Sequence, residues 1–243
     1  SFFQSKSLKI NYIKKFFLYL YELICISTSY RYTISSKYEY EIIKNKFPFF
    51  IHKTFIIPNF INTNIFKPYS KKSEDLSLIS IGRLDHQKNP FDLILISKLS
   101  NLPLTIVGEG KLKHLLLDFI KKIKAPVKII PKVSNSELPT LLNSHHIYIS
   151  TSLYEGCPKA ILEAMSCGLI TIAYSAPGVD EIILNKKNGF ITNRSPYYVN
   201  NVLTKILKNK TQFDNIKNEA RKYILENNSI EKIMNLQNQI YFN

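Results

Sequence analysis

From residue 77 onward, short β-branched and aliphatic runs alternate with longer stretches of helical pattern, and this alternation restricts the fold more than any other feature. The runs are 77–81, 104–107, 127–130, 147–150, 170–174 and 190–192. Helical stretches at 90–100, 111–124, 136–143, 158–167 and 179–184 separate them. Parallel neighbours need a crossover, and helical crossovers cover the sheet. The expected fold class is therefore α/β, a parallel sheet with helices on both faces.

Local punctuation agrees with these boundaries. Asn89 is placed to cap a helix with Pro90 at its first position, Pro158 opens another, and Gly168 ends it. Ser134 and Glu137 have capping-box spacing. Upstream, the sequence reads as strand 30–35, helix 37–46 and strand 54–57, followed by a polar, proline-containing stretch. The expected organisation is a C-terminal remnant of a preceding α/β domain over 1–57 and a linker over 58–76. A sheet domain over 77–195 and C-terminal helices over 196–243 complete it. The chain starts at Ser1 without an initiator Met, and we read it as a piece of a longer protein.

Other features narrow the function classes. The apolar run 16–26 carries Glu22 and is shorter than the roughly 20 residues a bilayer crossing needs. Lys14 and Lys15 precede it, and a buried helix with a solvated basic edge is the expectation, ahead of a membrane-surface helix. Lys and Arg number 33 against 18 Asp and Glu, a formal charge of +15 that favours anionic partners. The lysines are dispersed, and no aromatic-basic RNA-binding motif or zinc finger occurs, which places a nucleic-acid-binding module second. Cys25, Cys157 and Cys167 are an odd number without C-x2-C spacing, as in a reduced, cytoplasmic compartment.

The seven glycines all fall between 82 and 189. Five of them (Gly82, Gly108, Gly110, Gly156 and Gly178) follow strands, on the sheet edge where ligands of open parallel sheets bind. In the loop 82–90, Arg83 and Lys88 stand between a strand end and a helix start, where both can meet an anion. The loop 107–112 lacks the third glycine of a dinucleotide fingerprint, Lys113 standing in its place. In the loop 155–163, Glu155 precedes a helix and Glu163 lies within it. First-turn amides at Lys159 and Ala160 are available to a phosphate, whereas Pro158 has none to offer. Glu163 would then reach a group attached to that phosphate, such as a ribose, and Glu155 a second polyol or the reacting centre. His145 and His146 precede an apolar strand and are read as structural, with no partner spaced for a metal.

Glu155 and Glu163 form an E-x7-E pattern. Together with Gly82-Arg83-Leu84, Lys88, Val107-Gly108-Glu109-Gly110 and Glu163-Ala164-Met165-Ser166-Cys167-Gly168, it resembles the nucleotide-sugar-binding half of retaining glycosyltransferases of the GT-B fold, in the group 1 (family 4) class. The resemblance covers about residues 57–193. It implies a Rossmann-like donor domain. Gly82, Arg83, Lys88 and Gly108 would line the donor site, with Arg83 and Lys88 on the diphosphate beside the amides of Lys159 and Ala160. Glu163 would bind the ribose, and Glu155 with the Gly156-Cys157 backbone would meet the transferred sugar near its anomeric carbon. Glu155, Arg83 and Lys88 are the implied catalytic residues. No metal or cofactor is implied beyond the nucleotide diphosphate sugar as co-substrate, and no D-x-D pair is present. The base would lie near Lys132 and Val133. The implied partners are the donor and a glycan or lipid-linked acceptor at the inner membrane face, without nucleic acid. Phe60, Pro177-Gly178 and Cys157 depart from the usual family residues, and this chain alone is expected to turn over little.

Overall fold

The computed structural model describes residues 12–69, 75–209 and 213–242. Parts of the stretches read above as domain remnant, linker and C-terminal helices (1–11, 70–74, 210–212 and 243) lie outside the described residues. A six-stranded, wholly parallel sheet carries the fold. Its strands are β3 (Leu78–Ile81), β4 (Leu104–Val107), β5 (Val127–Ile130), β6 (Ile147–Ser150), β7 (Ile170–Tyr174) and β8 (Phe190–Thr192). They lie side by side as β5-β4-β3-β6-β7-β8, the doubly wound order in which the connection reverses direction between β3 and β6. That reversal opens a crevice at the carboxyl ends of these two strands.

Side chains alternate between the two faces, as the pleat requires. Ile79, Val107, Tyr148 and Ala173 pack with α5 (Leu138–Asn143), α6 (Lys159–Ser166) and α8 (Asp214–Asn227). Leu78, Ile106, Ile149 and Ile172 pack with α3 (Pro90–Ser100), α4 (Lys113–Ile123) and α7 (Pro196–Lys208). Each fully buried Ile or Leu contributes roughly 2 kcal/mol. Helix α3 is apolar nearly all round because it is wedged between the sheet and α7. The α/β expectation holds, with helices on both faces.

Residues 61–66 belong to this body. Ile61 and Phe66 are buried in the first core face, and Ile61 bridges to Ser229. Arg221 on α8 donates to the carbonyls of Thr63 (2.8 Å) and Ser166 (2.8 Å), so one guanidinium ties the segment to α6. Helix α9 (Ile230–Phe242) follows α8 after a short break.

The preceding segment consists of α1 (Tyr12–Thr28), β1 (Tyr32–Ile34), α2 (Lys37–Lys46), a 3-10 turn (Pro48–Lys53) and β2 (Thr54–Ile56), with β1 and β2 parallel. Its small core joins Ile26, Ile43 and Phe47. The buried-helix expectation for 16–26 is corrected: Phe16, Phe17 and Tyr21 are 62%, 61% and 68% exposed, because α1 meets the small core along one stripe, through Tyr19 against Phe47, Glu22 paired with Lys46, and Leu23 and Ile26.

Two further expectations need correction. Residues 179–184 form no helix; Asn188 accepts the Leu184 amide and donates to the Ile182 carbonyl, closing a turn where helical bonds would have run. Asn89 adopts left-handed backbone (φ 46°) and does not cap α3; its side-chain amide donates to Asp92 instead. The Ser134/Glu137 pair forms the reach-back half of a capping box, the Ser134 amide donating to Glu137 at 3.1 Å, while α5 begins one residue after Glu137.

Candidate donor-binding site

A cavity of about 540 Å³ opens at the carboxyl ends of β3 and β6. Gly82, Arg83, Lys88, Gly108, Glu155, Cys157, Lys159, Ala160 and Glu163 all line it. Gly156 does not: a Cβ there would lie 2.9 Å from Glu39 Oε1 and 3.2 Å from Ser35 Oγ, so this glycine faces the preceding segment.

The loop side is built from tightly locked backbone. At Gly108, with φ +150°, a Cβ would sit 1.9 Å from the Gly82 carbonyl oxygen, so only glycine lets the turns after β3 and β4 touch. Leu84 and the turn after β4 are zipped by Leu84 N–Glu109 O (2.8 Å) and Leu112 N–Leu84 O (3.1 Å). Lys88 donates its amide to Asp85 Oδ1 (3.1 Å), and its aliphatic stem lies across Gly82. Its ammonium is ion-paired to Glu155. Both partners are largely buried, and neither charge is left without a counter-charge. Arg83 stands at the exposed rim, donating to Gln87 Oε1 (3.1 Å) beside Asp85 Oδ2 (3.4 Å). Gln87 in turn donates to the Tyr154 carbonyl (3.0 Å), and the Leu153 amide donates to Gln87 O (2.8 Å), stitching this loop to the one after β6.

The helix side has the opposite character. Pro158 precedes α6 without a side-chain cap, and the Lys159 and Ala160 amides make no hydrogen bond among the described residues. Glu163, one turn further on, is 6% exposed, and its carboxylate has no hydrogen-bond partner among the described residues. Burial pushes its pKa up to about 7, against the opposing pull of Lys159. Cys157 is likewise driven up, to about 11, mainly by burial, so its thiol stays protonated near neutral pH. It is an uncharged wall residue. Asn59 donates to its carbonyl at 2.6 Å.

Several lining residues escaped the sequence reading. Tyr148 on β6 donates to the Ile81 carbonyl (3.3 Å), and burial with Glu155 nearby keeps the phenol protonated. A lone tyrosine inside an aliphatic strand was its signal. Thr151, from the polar pair that follows the strand, donates to the carbonyls of Lys88 and Asn89 (2.9 Å each). Lys132 and Val133, which the sequence did single out, line the wall as well. His145 is structural, its ring bonded to Leu141 O (2.9 Å) and Thr105 Oγ1 (3.0 Å). Glu181 had no sequence signal beyond its position: its carboxylate accepts the Lys37 and Tyr38 amides at 2.8 Å each, capping α2 from across the molecule. No three His, Cys, Asp or Glu gather as metal ligands among the described residues.

A doubly wound sheet with cationic side chains and unpartnered helix amides at its switch point is an arrangement whose charge and amide dipoles suit an anionic group. Residues 61–223 match the family of glycosyl transferases group 1, and the chain belongs to it. It is 32% identical over 142 residues to a phosphatidylinositol N-acetylglucosaminyltransferase subunit of Arabidopsis thaliana, covering 54% of this chain and 31% of that protein. Among solved structures, a sucrose-phosphate synthase from Thermosynechococcus elongatus superposes with a TM-score of 0.82 at 16% identity, covering 98% of this chain and 63% of that one. A TarM variant of S. aureus, solved with fondaparinux, alpha-GlcNAc-glycerol and UDP, superposes with a TM-score of 0.78 at 21% identity, covering 87% and 43%. The chain thus spans about a third of the Arabidopsis protein and less than two thirds of either structure. Among the described residues, no helix is long and apolar enough to cross a membrane.

Proposed function

We propose that the cavity holds a nucleotide diphosphate sugar and that this chain supplies the donor side of a transferase moving the sugar to a glycan or lipid-linked acceptor. One observation carries the reading. A single cavity is lined on its loop side by Lys88 and Arg83 and on its helix side by Lys159 and Ala160, whose amides are free of hydrogen bonds among the described residues, with the buried Glu163 one turn further along the same helix. Cations and helix amides suit a diphosphate, and a carboxylate without a partner suits the two hydroxyls of a ribose. The UDP in the TarM complex supports the choice of ligand class.

Glu155 lies beyond Lys88, where the transferred sugar would project. As the glycosidic bond breaks, charge grows on the leaving diphosphate, and preorganised cations and amides lower that barrier without a metal. We assign retention of configuration, family 4 membership and the E-x7-E pairing to the same reading. The setting we propose is cytoplasmic, at the membrane face for a lipid-linked acceptor. Calorimetric titration with UDP-, GDP- and ADP-sugars at millimolar concentration tests it: saturable binding of at least one, weakened in Arg83→Ala and in Glu163→Ala with an unchanged fold, is the expected result. No heat with any of the three refutes the donor site.

A further inference from the structure

We propose that Asp92, which does not line the cavity, is a positioning residue that sets Lys88 by holding Asn89 in left-handed backbone. This rests on the reading of Lys88 as a diphosphate ligand. Asn89 has φ 46° and ψ 55°, a conformation L-residues other than glycine adopt at a cost, and one that Asn reaches when its short side chain finds a local hydrogen bond. Pro90 also discourages right-handed helical backbone at position 89. The local bond is present: Asn89 Nδ2 donates to Asp92 Oδ2 at 2.8 Å. The same oxygen accepts the Tyr174 hydroxyl at 2.9 Å, and Tyr174 is fully buried in the sheet, so Asp92 is itself fastened to the core.

Asn89 governs Lys88 because the two share their restraints. Thr151 donates to both carbonyls, and the Lys88 amide is held by Asp85. With the backbone so fixed, the Lys88 stem crosses Gly82 and its ammonium arrives at Glu155. If the peptide between 88 and 89 flips out of this geometry, the Lys88 carbonyl leaves Thr151 and the ammonium leaves the cavity wall. A chain Tyr174–Asp92–Asn89 therefore transmits the rigidity of the sheet to a cation in a loop.

The test is a cycle on UDP binding, read by calorimetry alongside thermal melting. Asp92→Ala is expected to weaken UDP roughly tenfold, the cost of leaving Asn89 unsupported. Asn89→Gly alone is expected to bind nearly like the unmodified chain, because glycine enters this backbone without the steric cost that the Asp92 bond offsets for Asn89, while Thr151 still holds both carbonyls. In the double variant, Asn89→Gly is expected to restore UDP affinity, while the melting temperature stays low because the Tyr174 hydroxyl remains unpaired. Asp92→Asn, which keeps an acceptor oxygen, is expected to lose little. A merely structural role for Asp92 predicts that the double variant binds as poorly as Asp92→Ala, and that result overturns the proposal. Unchanged affinity in Asp92→Ala overturns it as well, with the diphosphate reading intact. Failure of the unmodified chain to bind UDP or inorganic pyrophosphate overturns both.

Discussion

The two ends of the cavity solve the problem of burying charge in opposite ways. At the loop end, Lys88 and Glu155 neutralise each other, and the Lys88 backbone is held by Asp85 at its amide and by Thr151 at its carbonyl, the same threonine also holding the Asn89 carbonyl. At the helix end, Glu163 is buried beside two amides that have no partner among the described residues, and the pull of Lys159 does not offset that burial. The loop end is complete without a ligand, and a ligand must displace something there. The helix end is incomplete, and a ligand relieves it. Substitutions at the two ends should therefore differ in sign as well as in size.

The largest effect is expected at Lys88. Lys88→Ala should weaken UDP roughly a hundredfold, the loss of a charge-assisted contact in a largely desolvated site. It should also lower the melting temperature, because Glu155 is left buried without a counter-charge. Adding Glu155→Ala should recover the melting temperature and not the affinity. Arg83→Ala, on the exposed rim, should cost nearer tenfold. Equal losses at the two positions would dissolve the distinction between the wall and the rim of the loop end.

Next in size is Glu163→Gln. The unfolded chain releases this proton near pH 4.5 and the native protein near pH 7, so between these values the native state holds a proton that the unfolded chain has lost. Stability then falls as pH rises through this interval, by up to roughly 3 kcal/mol, and is lowest above it. Glu163→Gln should abolish that slope, which melting curves between pH 5 and pH 8 would reveal. UDP affinity should move the other way, rising as pH passes about 7 and the carboxylate becomes ready to accept two hydroxyls. The variant should bind roughly tenfold more weakly at pH 8 and show no such rise. A pH-independent affinity in the unmodified chain would remove Glu163 from the ribose.

The two ends were unequally legible in the sequence. Residues of the helix end sit on one element, and the spacing of Lys159, Ala160 and Glu163 along α6 was enough to bring them together. Strand runs were equally plain, since parallel strands buried on both faces read as short aliphatic blocks. Loop-end geometry depends instead on bonds between distant segments. Gln87 meets Tyr154, Thr151 meets Lys88, and Glu181 meets the start of α2, and no local pattern announces such pairs. Asn89 misled for a related reason: the residue type suits an N-cap and a left-handed turn alike, and only its neighbour Asp92 decides between them. Gly156 followed the same logic, because the segment it faces lies more than a hundred residues earlier. The 179–184 stretch has the composition of a helix, and Asn188 closes it as a turn from outside the window in which helical pattern is read.

The smallest effect is the most discriminating. Because Glu155 occupies the Lys88 ammonium in the absence of ligand, a diphosphate has to compete with it. Glu155→Gln keeps the side-chain shape and removes the competing charge, so UDP without a sugar should bind a few-fold more tightly. A UDP-sugar should gain less or lose, since the carboxylate that would accept its hydroxyls is gone. The ratio of the two affinities, measured on the same preparation, separates the roles of Glu155: a gain for UDP with none for the sugar nucleotide marks it as a residue that releases Lys88 to the phosphate and then turns to the sugar. A loss for both would instead make Glu155 a support that Lys88 needs in the bound state, and the loop end would then be as incomplete without its ligand as the helix end.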